Sequence, residues 1–304
     1  MLIVGCGDVG LRVAKAMAAA PAAHPRGVRL LALTSSGERV PALRAAGVTP
    51  LRGNLDNAAT LARLAGLAQR VLHLAPPPAT PADAPRWWSD PRTSALLQAL
   101  ARRTLPQALV YASTSGVYGD CLGAWVDETR AVVPTTPRAQ RRANAERSVR
   151  GWAAALGTRA SVLRVPGIYA LDREGGTPAQ RLAKGLPVLE QADDVYTNHI
   201  HADDLARACV AALWRGRPQR IYHASDDTEL RMGDYLELAA DLLGLPRPPR
   251  LPRAQAEQVL SAPMLSFLNE SRRLRNQRLK QELRLRLRYP TVVQGLQSAV
   301  SSSA

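Results

Sequence analysis

The chain has 304 residues, 46% of them hydrophobic, which is enough to bury the core of one large domain or of one domain with a smaller lobe. No apolar run reaches the roughly 18 residues that a membrane span needs, and the first residues read as a strand and a turn rather than a secretory leader, so we expect a cytoplasmic protein. Its three cysteines are widely spaced and form no CxxC pair, so neither a disulfide framework nor a zinc site is predicted.

The formal charge of +15 raises the question of nucleic-acid binding. Almost all basic residues are arginine, alongside abundant Ala, Pro and Leu, a combination typical of genome-wide compositional bias. Aromatic residues make up only 4% of the chain, so few rings are available to stack on bases. We therefore expect solvated arginine, and neither a nucleic acid nor a membrane as a partner.

Apolar runs of strand length alternate with helical segments up to about residue 165. The predicted strands are 2–4, 28–34, 48–52, 70–75, 108–113 and 160–165, and helices are predicted near 8–20, 58–68 and 91–103 and in the segment that starts PTTPRAQRR at 134. Strands buried on both faces and separated by helices are typical of a parallel, doubly wound sheet. The sequence therefore predicts an α/β fold with a Rossmann-like sheet.

The regular alternation stops near residue 170. Residues 1–170 are predicted to form the dinucleotide-binding domain, completed by a helix and strand within about 203–224. Residues 171–202 and 225–304 are predicted to form a smaller C-terminal substrate lobe, with an amphipathic helix and a short strand in the arginine-rich tail. A substrate is expected in the crevice between sheet and lobe.

A glycine-rich turn connects the first predicted strand to the first helix. In LIVGCGDVG, the glycines of a GxGxxG motif are Gly5, which permits a tight turn, Gly7, which lets the backbone approach a pyrophosphate, and Gly10, which lets helix and strand pack closely. The helix start at Asp8 and Val9 offers free N–H groups and the positive end of the dipole. We interpret this as a dinucleotide site; the alternative is a tight turn without a ligand.

The end of the second strand bears on the choice of cofactor. An NAD site usually has a carboxylate here, whereas this chain has Thr34 and Ser35, followed by Arg39. Small hydroxyls with a nearby arginine suit a 2′-phosphate, so NADP is favoured. NAD stays open because Glu38 could reach the ribose, and Arg39 could equally be a surface residue at a helix start.

The stretch YASTSGVYGD at 111–120 resembles the fifth-strand motif of the extended short-chain dehydrogenases/reductases, the NAD-dependent epimerase/dehydratase family. Further similar segments follow the same order along nearly the whole chain: GNLDN at 53–57, HLAPP at 73–77, VLRVPGIY at 162–169, IHADDLA at 200–206 and NQRLKQELRLRLRYP at 276–290. The resemblance implies an oxidoreductase or epimerase-like enzyme with a small-molecule substrate, such as an anionic compound or a sugar nucleotide, and a homodimer.

The resemblance also implies cofactor contacts outside the glycine turn. They come from an adenine-side segment, a segment beneath the riboses and a nicotinamide-side loop, and the matching residues are Asn54, Leu55, Leu74, Ala75, Pro76, Pro166 and Ile168. The family has Asp at the position of Asn54.

In that family a Ser or Thr, a Tyr and a Lys perform the chemistry, the last two as YxxxK on one helix. The Ser/Thr position matches Thr114, but the Tyr and Lys positions match Arg138 and Arg142. A guanidinium stays protonated, with a pKa above about 12, so it cannot replace the Tyr in kind. Arg142 could still bind the ribose, and Arg138 could stabilise an alkoxide, bind an anionic substrate or be a surface residue. The chain is therefore expected to be an atypical member; the alternative is a catalytically silent NADP-binding redox sensor or scaffold.

Tyr118 is the candidate substitute acid, because it is expected on the same cleft-facing loop as Thr114. The positive field of a bound cofactor would lower its phenol pKa from about 10 toward neutrality. The alternative is a tyrosine that only packs against the loop or the substrate.

Four further side chains are candidates for substrate binding: Tyr169, Arg173, His199 and His201. If their segment is extended, the two histidines share one face, but spacing supplies no third ligand, so no metal site is predicted. His201 could equally satisfy a neighbouring loop, and Arg173 could be a surface residue.

Overall fold

A computed structural model describes residues 1–19, 27–79, 81, 83–173 and 177–300. In chain order its strands are β1 (Leu2–Val4), β2 (Leu31–Thr34), β3 (Thr49–Arg52), β4 (Arg70–His73), β5 (Ala108–Thr114), β6 (Trp125–Val126), β7 (Arg159–Val165), β8 (Gly167–Tyr169), β9 (Val188–Leu189), β10 (Tyr196–Thr197), β11 (His199–His201), β12 (Arg220–His223), β13 (Leu230–Arg231), β14 (Arg250–Leu251) and β15 (Arg273–Leu274).

The α-helices are α1 (Asp8–Ala19), α2 (Val40–Ala45), α3 (Pro91–Leu100), α4 (Pro137–Leu156), α5 (Pro178–Leu182), α6 (Ala202–Arg215), α7 (Met232–Leu243), α8 (Arg253–Val259), α9 (Ala262–Leu268), α10 (Gln277–Gln281) and α11 (Val292–Val300). Two short 3₁₀ helices span Ala58–Leu64 and Ser115–Tyr118. Within the described ranges, no helix is both long and apolar enough to cross a lipid bilayer.

Seven parallel strands form the central sheet in the order β3-β2-β1-β4-β5-β7-β12. The direction of strand succession reverses between β1 and β4, which opens a crevice above the carboxyl ends of these strands. This arrangement confirms the predicted α/β, Rossmann-like fold.

Helices cover both faces of the sheet because successive side chains of a buried strand point to opposite sides. Ile3 packs with Val13 of α1 and Leu205 of α6 on one face. Its neighbour Leu2 packs on the other face with Leu96 of α3 and with residues of α4. The sheet is therefore enclosed between two apolar layers.

Local signals explain the limits of α4, the helix that carries Arg138 and Arg142. The Thr136 side chain accepts a hydrogen bond from the amide of Ala139, Pro137 occupies the first turn, and Gly157 ends the helix in a left-handed conformation. The helix thus begins within the segment where the sequence predicts a helix start, and Gly157 accounts for its end.

The C-terminal part of the chain has its own apolar cluster, which includes Tyr169, Val188, Leu236 and Leu296. This part of the chain also contributes to the central sheet and its helical layer: β12 pairs with β7, and α6 packs against α1. The division into a domain and a lobe stays a prediction.

Three elements differ from the sequence-based expectation. The second strand starts at Leu31 rather than at residue 28, and the helix predicted near 58–68 is the shorter 3₁₀ helix. The strand predicted in the tail does not form. Arg284 has a positive φ of 50°, which interrupts an extended backbone, while Leu283 and Leu285 are buried on either side of it.

A buried ion pair joins α4 to β7. The Glu146 carboxylate accepts hydrogen bonds from Arg164, with 2.7 Å between Nη2 and Oε2, and both side chains are about 5% exposed or less. Ser113 of β5 donates to the same carboxylate. One charge pair therefore connects three elements of the domain.

We expect Glu146→Gln to lower the free energy of unfolding by about 3–5 kcal/mol, because Arg164 would keep its charge in a buried site without a counter-charge. Urea unfolding followed by circular dichroism measures the change. Asp241→Asn is the control, since its ion pair with Arg247 is exposed and little change is expected. Equal losses in the two variants would contradict this prediction.

Candidate active site

The turn after β1 packs directly against the segment that follows β4. The carbonyl oxygen of Val4 accepts hydrogen bonds from the amides of Leu74, at 2.8 Å, and Ala75, at 3.1 Å. Gly5 has a φ of 84°, and a Cβ there would lie 2.4 Å from the Ala75 nitrogen. Only glycine can therefore keep this turn tight.

The space above Gly7 is open. Among the described residues, no atom beyond its chain neighbours lies within 4 Å of the point that a Cβ of Gly7 would occupy. Helix α1 begins at the next residue, Asp8, and the amides of its first turn have no partners within the helix. Open space beside free amides at the positive end of a helix is the geometry that a diphosphate requires.

An ion-pair network surrounds the start of α1. Asp8 accepts from Arg12, at 2.9 Å, and from Arg173, at 3.0 Å. Arg12 also donates to Asp172 and to Asp203, both at 2.6 Å. Arg173, predicted to bind a substrate anion, is thus paired with a carboxylate of the protein. Nothing in the sequence pattern indicated that Arg12 would be the centre of this network.

Arginines gather at the carboxyl end of β2. Thr34 is buried and donates to the Ser36 carbonyl at 3.1 Å, whereas Ser35 and Arg39 are exposed. Arg52 of β3 lies beside Thr34 in the sheet, a position that the sequence analysis did not single out.

Two observations bear on the positions of the Arg52 and Arg39 guanidinium groups. Nη1 of Arg52 lies 3.0 Å from the point that a Cβ of Gly37 would occupy, over the turn after β2. Burial raises the pKa of the Cys6 thiol to about 11, and the nearby Arg39 charge opposes part of that rise. The charge of Arg39 therefore acts on the glycine turn.

The other residues predicted to contact the cofactor follow the carboxyl edge of the sheet. The Asn54 side chain accepts from the amide of Asp56 at 3.0 Å and is exposed. Ala75 is buried and Pro76 is exposed, while four residues are half-buried: Leu55, Leu74, Pro166 and Ile168.

Thr114 is the last residue of β5, and its Oγ1 accepts from the Gly116 amide at 3.2 Å. Arg142 points at the same strand: its Nη1 donates to the Ala112 carbonyl at 2.6 Å and to the Tyr111 hydroxyl at 3.2 Å. Helix α4 thus holds one guanidinium against the backbone two residues before Thr114.

Arg138, one turn earlier on α4, is exposed and has no hydrogen bond or ion pair within the part of the chain that the structure describes. Partial desolvation, and then the charge of Arg142, lower the pKa of its guanidinium. Arg138 and Arg142, one turn apart on α4, therefore lie close enough for their charges to repel.

A model of the NAD dependent epimerase/dehydratase family matches residues 1–224. The chain belongs to this family. Over 124 residues it is 33% identical to the 3-diazoavenalumate denitrifying reductase of a Streptomyces species, a match that covers 41% of this chain and 40% of the reductase. The chain thus spans less than half the length of that relative.

Solved structures resemble this epimerase/dehydratase family member over almost its full length. A conserved protein of unknown function from Silicibacter pomeroyi is 30% identical, with a TM-score of 0.79 and 99% and 98% of the two chains covered. The dTDP-glucose 4,6-dehydratase of Streptomyces venezuelae, with NAD bound, is 20% identical, with a TM-score of 0.78 and coverage of 99% and 95%. The dehydratase shows the shared fold.

The expected position of Tyr118, facing the cleft, is wrong. The side chain is buried rather than directed at the cleft, and burial raises the pKa of its phenol to about 12, partly opposed by Arg164. Nδ1 of His223 must donate to the Arg275 carbonyl, so its Nε2 accepts the Tyr118 proton at 2.6 Å. Arg164 donates to the same hydroxyl at 2.6 Å. Tyr118 is thus part of a closed internal network.

The two histidines of β11 are also buried rather than open to substrate. His199 stacks on Tyr235 with ring centres 4.0 Å apart, and burial, followed by the Arg181 charge, lowers its pKa to about 3. His201 stacks on Tyr289 with ring centres 3.9 Å apart. Its Nδ1 accepts a hydrogen bond from the Asp203 amide, so the His201 side chain caps the start of α6.

Tyr169 packs edge-on against both histidines and donates to the Thr291 carbonyl at 3.3 Å. Tyr169 and Tyr235 belong to the apolar cluster of the C-terminal part of the chain. No cluster of three or more metal-ligating side chains occurs in residues 1–19, 27–79, 81, 83–173 and 177–300.

We expect Gly7→Ala to keep the fold and to weaken NADPH binding by about tenfold or more, equivalent to about 1.4 kcal/mol. The new methyl group has room in the protein but occupies the space needed by a diphosphate. Isothermal titration calorimetry measures the affinity, and thermal unfolding checks the fold. Gly151→Ala on α4, which also has no neighbour at its Cβ position, is the control and should bind normally. Unchanged affinity in Gly7→Ala would place the diphosphate elsewhere.

Proposed function

We propose that this protein binds NADP(H) over the Gly5–Gly10 turn and transfers a hydride to or from a small-molecule substrate beside Thr114. The observation that carries this proposal is the open space above Gly7, bordered by the first amides of α1. Family membership supports it, as does the fold shared with a dehydratase that has NAD bound.

The preference for NADP rests on charge at the end of β2. Thr34 stands where an NAD site would have a carboxylate, and Arg39 and Arg52 flank it without ion-pair partners in the described segments. A 2′-phosphate would receive charge-assisted hydrogen bonds from these guanidinium groups. NAD carries no such phosphate and would gain nothing from them.

Arg39→Ala is expected to weaken NADPH binding by about 10- to 100-fold, because hydrogen bonds to charged groups contribute about 1.5–3 kcal/mol. NADH affinity should stay unchanged. Calorimetry with both nucleotides measures the ratio, and Arg44→Ala, an exposed arginine of the adjoining α2, is the control. An equal loss for NADPH and NADH would refute the assignment of Arg39 to the phosphate.

The chain supplies the groups around the reacting carbon. A bound nicotinamide would accept or deliver the hydride. The Thr114 hydroxyl orients the substrate oxygen, and Arg142, anchored on the Ala112 carbonyl, holds the nicotinamide ribose. Arg138 binds an anionic group of the substrate, since its charge has no protein partner among the residues described. Carboxylates, phosphates and sugar nucleotides all fit this requirement.

Thr114→Ala should lower kcat by about 10²–10³-fold, the effect of removing one hydrogen bond to the reacting oxygen, while NADPH affinity is kept. Turnover is assayed by NADPH absorbance over a panel of aldehydes, 2-oxo acids and sugar nucleotides. Thr104→Ala is the matched control, because Thr104 is exposed and lines a cavity together with the amino-terminal residues of β3 and β4. Full activity in Thr114→Ala would exclude this site for the chemistry.

A second candidate is a catalytically silent NADP-binding sensor or scaffold. Two observations favour it: the Tyr118 hydroxyl is fully engaged inside the protein, and arginines occupy the YxxxK positions. Tight NADPH binding without turnover over the whole panel, together with a nicotinamide C4 that faces away from Thr114 in a crystal structure, would establish this alternative.

A further inference from the structure

A carboxylate from the C-terminal segment reaches the turn that follows Thr114. Glu270 Oε2 lies 3.7 Å from the point that a Cβ of Gly116 would occupy, and Thr114 Oγ1 lies 3.6 Å from the same point. Two oxygen atoms from distant parts of the chain therefore converge on one small volume, and the glycine at 116 keeps that volume free of a side chain.

The Glu270 carboxylate is held in place on both oxygens. Arg272 Nη1 donates to Oε2 at 2.9 Å and to the Gly119 carbonyl at 2.7 Å, so it attaches the carboxylate to the loop after β5. Thr135 donates to Oε1 at 3.3 Å. The Glu270 side chain is about 10% exposed, which leaves an oriented carboxylate with limited access to water.

The backbone around Glu270 is fixed as well. The amides of Cys121 and Gly123 donate to the Ser271 carbonyl, and the amide of Ser271 donates to Asp120. The Asn198 side chain bonds to the same segment at the Arg272 carbonyl and the Leu274 amide. Glu270 is therefore presented by paired strands and bonded loops, the kind of support that a precise site needs.

The other ionisable groups near Thr114 are unsuited to proton transfer. The Tyr118 proton is bound by His223, and the guanidinium groups of Arg138 and Arg142 stay protonated. Glu146 is committed to Arg164. Glu270, in contrast, is a carboxylate that lies at the edge of the candidate site, beside the turn that follows Thr114.

We propose that Glu270 is the catalytic acid–base of this enzyme, in place of the tyrosine that the family uses, with Arg272 as its positioning residue. This inference rests on the proposed function. In the oxidising direction Glu270 takes the substrate O–H proton, and the C–H hydrogen would leave as hydride to a bound NADP⁺. A C=O bond forms, so the substrate is oxidised and the cofactor reduced; reduction by NADPH is the reverse. Thr114 holds the same substrate oxygen.

The first test compares Glu270→Gln with Glu229→Gln. Glu229 also pairs with an arginine of the C-terminal segment, Arg273, but it lines a separate cavity of about 420 Å³. With benzaldehyde, pyruvate, UDP-glucose and dTDP-glucose as probes, we expect Glu270→Gln to lose about 10²–10⁴-fold in kcat while its NADPH affinity stays normal. Its melting temperature should fall because Arg272 loses its counter-charge, and circular dichroism checks that the fold is kept at the assay temperature. Glu229→Gln should keep full activity. Undiminished kcat in Glu270→Gln would overturn the proposal.

Two further measurements separate a failure of this inference from a failure of the proposed function. Glu270→Asp should recover part of the lost kcat, because it restores a carboxylate; no recovery would show a structural role for Glu270. If none of the four probes turns over, a crystal structure with NADP⁺ decides. A nicotinamide C4 that faces the gap between Thr114 and Glu270 supports the proposal, and one that faces away overturns it. Absence of any nucleotide binding would instead refute the proposed function itself.

Discussion

The contact between the β1 turn and the segment after β4 determines the shape of the nucleotide end of this molecule. Two amides, of Leu74 and Ala75, bond to the carbonyl of Val4, and a side chain at position 5 would push them away. Because this contact requires glycine, the turn stays tight and α1 starts immediately after Gly7. The helix dipole and its free amides are thereby aimed at open space, at the crevice where the strand order reverses.

The arginines of this fold can be divided into two groups by whether they form ion pairs. Some guanidinium groups are internal: Arg164 bonds to Glu146, and Arg12 bonds to three aspartates. Three others, Arg39, Arg52 and Arg138, have no ion pair among the described residues and stand around the candidate site. Unpaired cations along one cleft attract an anionic ligand. The charge of +15 therefore accords with a nucleotide and an anionic substrate without invoking nucleic acid.

The candidate active site combines a familiar scaffold with altered chemistry. The position of Thr114 at the end of β5 agrees with the family pattern, yet the phenol of Tyr118 is held by His223 and Arg164. Its hydroxyl is buried and bonded to internal groups, so it does not face the cleft. In the mechanism we propose, Glu270 would take the role of the family's tyrosine, and it approaches the Thr114 turn from a different part of the chain.

The sequence by itself determined the parallel sheet, the position of the glycine turn and the start of α4, because hydrophobic periodicity, glycine spacing and helix caps act over a few residues. Tertiary structure alone decided that Tyr118 and His199 are buried and that Arg173 pairs with Asp8. It also brought Glu270 to the Thr114 turn. Such pairings depend on which segments pack against each other, and no local spacing encodes that. The fold could thus be predicted from patterns, whereas the partners of each charged side chain could not.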